Sequence, residues 1–253
     1  MSKALVAANW KMHKTLRETE EYLRRLLELV GDEPPVELAV CPSFTALALA
    51  ARLLSGSPIA LGAQNGHPKK EGAFTGEVSM YQLADLGVRY VICGHSERRH
   101  LFGESDAFVA EKVRAAWIHG LTPILCVGET LEERQGGRAW EVVERQLSSA
   151  LGDGLLGPLV IAYEPVWAIG TGVPAHPHDA QDMARRIRAW LSERFGGKGA
   201  EVRIQYGGSV KPENAREFLG LPEIQGALVG GASLDPESFW QIALAATCGR
   251  PSS

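Results

Sequence analysis

Eight short apolar or β-branched runs recur along this chain, each followed by a longer stretch whose apolar residues return every three or four positions. This alternation constrains the fold more than any single motif. Strands of a parallel sheet are buried on both faces and read as unbroken apolar runs, and each needs a crossover of a dozen or more residues, usually a helix. The runs are Ala4 to Ala8, Val36 to Val40, Ile59 to Ala63, Tyr90 to Cys93, Thr122 to Val127, Leu159 to Tyr163, Val202 to Tyr206 and Ala227 to Val229. They lie roughly 20 to 45 residues apart, room for one helix and its loops each time. Leu16 to Leu29 sets Leu23, Leu26, Leu27 and Val30 on one helical face before Gly31 stops it. Asp106 to His119 repeats the design, with Phe108, Val109, Val113 and Trp117 on one face and Gly120 at the left-handed end position. Pro212 and Pro236 each read as the first turn of a helix.

Two architectures fit this order, an open doubly wound sheet and a closed (β/α)8 barrel, and periodicity does not separate them. The 253 residues match the length typical of such a barrel, and no low-complexity linker divides them, so residues 1–253 read as one α/β domain. Motif placement favours the barrel. Its reactive groups lie just after the carboxyl ends of several strands, whereas an open sheet needs only one switch point.

Composition narrows the partners. Hydrophobic residues make up 45% and charged residues 22%, enough to bury a large core. The formal charge is -4 with no run of five or six like charges, which argues against nucleic acid or an anionic membrane as partner. Apolar runs are too short to cross a bilayer, and MSKALVAANW has neither the long apolar stretch nor the cleavage site of a signal peptide, so the expected location is cytoplasmic. Cys41, Cys93, Cys126 and Cys248 include no C-x-x-C pair, and three of them close apolar runs. They read as reduced core or strand-end thiols rather than metal ligands or disulfides.

The candidate chemistry sits after separate strands. Asn9-Trp10-Lys11 puts an amide and an ammonium at the end of the first run, where both can face a polyanion; alone, it equally suits a solvated lysine opening a loop. Cys93-Gly94-His95-Ser96-Glu97 follows the fourth run, with His95 beginning a short helical stretch. The positive end of a helix disfavours imidazolium, so such a histidine can donate to a carbonyl while neutral, although a lone histidine is more often a structural hydrogen-bonder. Tyr163-Glu164-Pro165 opens an apolar loop, Val166 to Ile169, that ends in Gly170-Thr171-Gly172. Proline at one end and glycines at the other suit a stiff lid on two hinges. A buried clamping loop would explain the apolar residues but not Glu164. After the seventh and eighth runs come Gly207-Gly208-Ser209 and Gly230-Gly231, paired glycines whose bare N–H groups suit phosphate oxygens. His176-Pro177-His178-Asp179 could suggest a metal, but an N-capping Asp179 in a surface turn fits better. Asn65-Gly66 has the form of a hairpin turn, yet the polar residues beyond it read as a long loop.

Together AANWKM, GAQN, GAFTGEVS, GHSERR, CVGETLEER, AYEPVWAIGTG, YGGSV and LVGGASL closely resemble the triosephosphate isomerase family, in the family's order and across essentially the whole chain. Gly66 to Gly72 and Val173 to Pro177 depart from it without removing a chemical group. The resemblance implies a single-domain TIM barrel that interconverts dihydroxyacetone phosphate and D-glyceraldehyde 3-phosphate through an enediolate, with no metal and no organic cofactor. It implies that Glu164 shuttles the proton, His95 polarises the carbonyl, Lys11 supplies positive charge and Asn9 bonds substrate oxygens. It implies support for Lys11 and for proton movement from Glu97, and backbone donors to phosphate at Gly170, Ser209, Gly230 and Gly231. It also implies a homodimer in which Thr75 reaches the other subunit near Asn9 and Lys11, while Glu77 pairs with Arg98 across the interface.

Two rivals remain on the residues themselves. A barrel isomerase of a larger sugar phosphate would share the glycine turns, but the tight lid disfavours a larger substrate. A barrel retained as a scaffold would be marked by loss of Glu164, His95 or Lys11, and all three are present.

Overall fold

A computed structural model of the protein describes residues 3–152, 154–169 and 175–247. Gly170 to Val173 at the far end of the lid, and Cys248, lie outside the described residues. The chain runs β1 (Leu5–Asn9), α1 (Leu16–Val30), β2 (Glu37–Cys41), α2 (Leu47–Leu54), β3 (Ile59–Ala63), α3 (Met80–Asp85) and β4 (Tyr90–Cys93). It continues through α4 (Ser96–His100), α5 (Asp106–Ile118), β5 (Thr122–Val127), α6 (Leu131–Gln135), α7 (Ala139–Leu151) and β6 (Val160–Tyr163). Last come α8 (Pro177–Glu201), β7 (Arg203–Tyr206), α9 (Ala215–Leu219), β8 (Gly226–Val229) and α10 (Pro236–Ala245). The strands pair in sequence order, all parallel, and β8 pairs back onto β1, which closes an eight-stranded barrel and excludes the open sheet.

Every strand boundary falls within one residue of its apolar run. Where β1 and β2 run one residue further, to Asn9 and Cys41, the two are ladder partners. Backbone pairing therefore continues past the apolar stretch and carries Asn9 into the sheet. α1 begins at a capping box, with Thr15 accepting from the Glu18 N–H and Glu18 answering to the Thr15 N–H. It ends on Gly31 at φ 65°, and buries Tyr22, Leu23, Leu26 and Val30 against the barrel. Burying each such side chain contributes roughly 1.5–3 kcal/mol.

Two of the local expectations need correcting. Pro236 does open α10, but Pro212 stands in a turn closed by the Asn214 N–H on the Lys211 carbonyl, and α9 starts only at Ala215. Proline presets φ for a turn as well as for a helix, so the residue alone does not distinguish them. Asp179 is not an N-cap either: His176 occupies that position without a side-chain bond, and Asp179 in the first turn pairs with Arg134.

The side-chain period of two decides what reaches the mouth of the barrel. In β1, Val6 and Ala8 face the helices, while Leu5 and Ala7 fill the barrel interior. In β6, Val160 and Ala162 do the same, as do Ile124 and Cys126 in β5 and Leu228 in β8. Two residues further along each of these strands stand Asn9, Glu164, Gly128 and Gly230. One face of the pleat thus delivers an amide, a carboxylate and two residues without side chains to the same open end. The opposite end is closed by Glu37, which takes hydrogen bonds from Tyr90 and Arg203. A cavity of about 1110 Å³ opens there, but its Glu37 is paired with Arg89 and Arg203 and no candidate residue lines it.

Candidate active site

At the carboxyl ends of β1, β4 and β6 four ionisable groups form a chain. Lys11 Nζ lies 2.7 Å from Glu97 Oε1, Glu97 Oε2 lies 3.6 Å from His95 Nδ1, and His95 Nε2 lies 2.9 Å from Glu164 Oε1. Residues far apart in sequence meet here because the strands bearing them converge on one mouth. Glu164 and His95 are 2% and 6% exposed, so their interaction is barely screened by water.

His95 is the N-cap of α4, following Gly94 at φ 71°, a backbone position that suits glycine. Its Nδ1 accepts from the Glu97 N–H at 3.2 Å. A neutral imidazole in this arrangement carries its proton on Nε2, facing Glu164 and the mouth. Burial lowers the imidazole pKa, but the Glu164 carboxylate, assisted by Glu97, outweighs it and holds the pKa above its ordinary value. For Glu164, burial acts upward, yet His95, the Ser96 N–H and Lys11 together hold it low and ionised. The helix-end argument for a neutral histidine is therefore opposed, in the resting arrangement, by the neighbouring carboxylate.

Glu164 is anchored by one oxygen and open at the other. Oε2 accepts from the Ser96 N–H at 2.9 Å. Oε1 lies close to His95 Nε2 but off the line of its N–H, and receives no well-directed hydrogen bond. An ionised, desolvated oxygen without a committed donor is a competent base.

Space around this carboxylate is made by glycines. A Cβ on Gly128 would lie 1.7 Å from the Glu164 carbonyl oxygen, and one on Gly207 would lie 2.8 Å from Glu164 Cγ. The Gly207 N–H is already bonded to the Tyr163 carbonyl, so this residue clears room for the base rather than offering a donor. A Cβ on Gly230 would lie 3.6 Å from Lys11 Cε, which puts the Gly230-Gly231 turn beside the ammonium, while Gly231 faces open space. Asn9 is buried, and its Oδ1 accepts from the Lys11 N–H at 3.1 Å.

A family model described as triosephosphate isomerase matches residues 4–246. The chain belongs to the triosephosphate isomerase family. It is 57% identical to a triosephosphate isomerase of Symbiobacterium thermophilum, over 97% of this chain and 98% of that one. A triosephosphate isomerase of Chloroflexus aurantiacus is 55% identical over 94% and 97% of the two chains, and one of Aquifex aeolicus 50% identical over 94% and 97%.

Within this isomerase the tertiary structure brings in groups that strand-end motifs do not mark. Gln64 donates from Nε2 to the carbonyls of Lys11 and Cys41, at 2.8 and 3.0 Å, and so pins the loop after β1 to β2. The described part of the lid, Pro165 to Ile169, docks on Glu129, whose Oε1 accepts from Trp167 Nε1 at 3.0 Å and from the Tyr163 hydroxyl at 3.1 Å. Arg134 approaches the same oxygen, stacks on Trp167 and pairs with Asp179 at the start of α8. Burial raises the Glu129 pKa against these donors. Ser209 Oγ donates to the Ala168 carbonyl at 3.2 Å, so the turn after β7 also touches the lid. Glu129 and Gln64 do fall within CVGETLEER and GAQN, but nothing local in either motif says which distant group they hold. Gly170 is the one candidate that falls outside the described residues. Among the described residues no group of three or more His, Cys, Asp or Glu could hold a metal ion, His178 and Asp179 included.

Proposed function

We propose that this isomerase interconverts dihydroxyacetone phosphate and D-glyceraldehyde 3-phosphate, with Glu164 as the base. The observation that carries the reading is the buried Glu164 Oε1, without a directed donor, 2.9 Å from a histidine whose Nε2 faces the same mouth. The phosphate dianion sits against the N–H groups of Gly230 and Gly231, with Lys11 alongside and Ser209 near the lid; Gly170, the remaining donor that the family resemblance implies, lies outside the described residues. The substrate carbonyl takes the place of Glu164 at His95 Nε2. Glu164 removes the C1 proton, the C–H electron pair forms the C1–C2 double bond, and the carbonyl electron pair moves onto oxygen. That oxygen is held by the Nε2–H and the Lys11 ammonium, with Asn9 bonding the adjacent hydroxyl; His95 Nε2 gives its proton to the C2 oxygen and takes that of the C1 hydroxyl, whose oxygen forms the new C1 carbonyl as the double-bond pair takes up at C2 the proton that Glu164 returns. Glu97 orients Lys11 and His95. Closure of the lid excludes water, which would otherwise let the enediolate shed phosphate.

Residues 1–253 act in this reading as one catalytic unit, without metal or organic cofactor. A homodimer is part of it. The loop tip 71–77 is exposed, carries Thr75 and Glu77, and has Phe74 folded onto His67 at 4.2 Å. Arg98 is held by Glu104 at 2.6 Å, which orients its guanidinium for a second copy's Glu77. A cytoplasmic location accords with free, buried Cys41, Cys93 and Cys126, and among the described residues no helix is long and apolar enough to cross a membrane.

The test is a coupled spectrophotometric assay with D-glyceraldehyde 3-phosphate, with and without a chelator. Turnover is expected in both. Absence of turnover overturns the function, and turnover lost to the chelator overturns the cofactor-free mechanism.

A further inference from the structure

Among the described residues only two that are not glycine hold a positive φ, Lys11 at 52° and Lys14 at 73°. Both lie in the loop after β1. A residue with a Cβ is held in this region against its own preference, and the strain persists where surrounding contacts over-determine the backbone. For Lys11 those contacts are Asn9, Gln64 and Glu97.

For Lys14 they lead elsewhere. Its Nζ donates to the Leu234 carbonyl at 2.9 Å, while the ammonium stands over the rings of Tyr22 and Trp10, 4.7 and 5.4 Å from their centroids. Leu234 ends the short turn Gly231–Leu234 that follows β8. The preceding carbonyl, that of Ser233, accepts from the Tyr22 hydroxyl at 2.7 Å. Ser233 is fully buried and folds back on Gly230, donating to its carbonyl from N at 2.8 Å and from Oγ at 2.6 Å. Two successive carbonyls of this turn are thus gripped from α1 and the loop after β1, and the same turn begins with Gly230 and Gly231.

The grip matters because of where the barrel closes. The last ladder pair between β1 and β8 is Ala8 with Val229. Beyond it no strand pairing fixes the loop bearing Lys11 relative to the turn bearing the bare amides. We propose that Lys14 is a positioning residue that ties these two segments across the seam and sets the spacing between the Lys11 ammonium and the N–H groups of Gly230 and Gly231. The inference rests on the reading of that turn as the phosphate site. A lysine suits the role, since its compact ammonium reaches one carbonyl while its stem lies along aromatic faces.

The test uses the full chain with Lys14→Gly, Lys14→Met and Lys14→Arg, reading kcat, KM for D-glyceraldehyde 3-phosphate, the inhibition constant of inorganic phosphate, and the thermal midpoint. Lys14→Gly removes the tether together with the backbone strain, so its stability is expected to match or exceed that of the parent. KM and the phosphate constant are expected to rise about tenfold in Lys14→Gly and Lys14→Met, with kcat within about threefold, and Lys14→Arg to recover most of the loss. Phosphate affinity and KM within about twofold of the parent in both Lys14→Gly and Lys14→Met would overturn the inference, as would loss confined to kcat. A parent chain with no turnover and no phosphate inhibition would instead overturn the phosphate site itself.

Discussion

Two oxygens of one carboxylate have different lives in this protein, and that difference is the source of the site's chemistry. Oε2 of Glu164 is fixed by the Ser96 N–H, and Oε1 meets His95 without a directed bond. Replacing the residue by Gln keeps the shape and removes the base, so Glu164→Gln is expected to lower kcat by roughly 10²- to 10⁴-fold with the fold intact; full activity in the variant would rule Glu164 out. The same substitution tests the electrostatics. Burial lowers the His95 pKa and the Glu164 charge is the main influence raising it. With that charge removed, the imidazole midpoint followed by NMR should move to lower pH. A midpoint that stays or rises would mean that Glu164 does not govern the imidazole. Substrate that displaces Glu164 from Nε2 should act in the same direction, which favours the neutral histidine the reaction needs.

Among the elements, the strands carry groups at both ends, and the two ends do different work. At the carboxyl ends are Asn9, His95 and Glu164; at the amino ends Glu37 of β2, Tyr90 of β4 and Arg203 of β7 tie three strands together. Burial pushes the Glu37 pKa up, but the Tyr90 and Arg203 hydrogen bonds and the two arginine charges outweigh it, leaving the pKa below its ordinary value. A carboxylate depressed in this way stabilises the fold above its unfolded pKa, and that stability disappears as pH falls through the lowered value. Thermal unfolding of the parent should therefore lose part of its midpoint below about pH 4.3, and Glu37→Gln should remove that part of the acid slope. At neutral pH Glu37→Gln leaves Arg203 half-buried without a counter-charge and is expected to lower the midpoint by roughly 5 to 15 °C. Identical pH profiles for parent and variant would remove Glu37 from the account. Turnover per folded molecule should change little, because the floor is remote from the mouth.

On the scale of the whole molecule, several large apolar side chains are left in water at the catalytic end. Met12 is 94% exposed, Leu101 77%, Phe102 68% and Phe74 43%, on loops that follow β1, β4 and β3. Gathered on neighbouring loops, they suit the cover that the second copy proposed above would provide. Shortening residues 66–76 is expected to give monomers by sedimentation, with reduced activity, since that loop is the segment proposed to reach a second copy's Lys11. An unchanged dimer from the shortened chain would refute the interface.

What the chain determined by itself is whatever depends on short periods. A period of two and a period near four mark strands and helices, and eight strands in this order imply seven crossovers; the boundaries read this way hold to one residue. The same period of two sends Asn9 and Glu164 inward, so the residues proposed for the site could be read as strand-end groups before any tertiary contact was known. What only the tertiary structure decided is which groups meet. Ser96 and Glu164 are 68 positions apart, Lys11 and Glu97 86, and Lys14 and Leu234 220. Local periodicity carries no information about such pairs, because their distance is set by barrel closure and by the loops that closure forces together. For the same reason the steric role of Gly128, the anchoring by Gln64 and the docking of Trp167 on Glu129 emerge only once eight strands have become a ring.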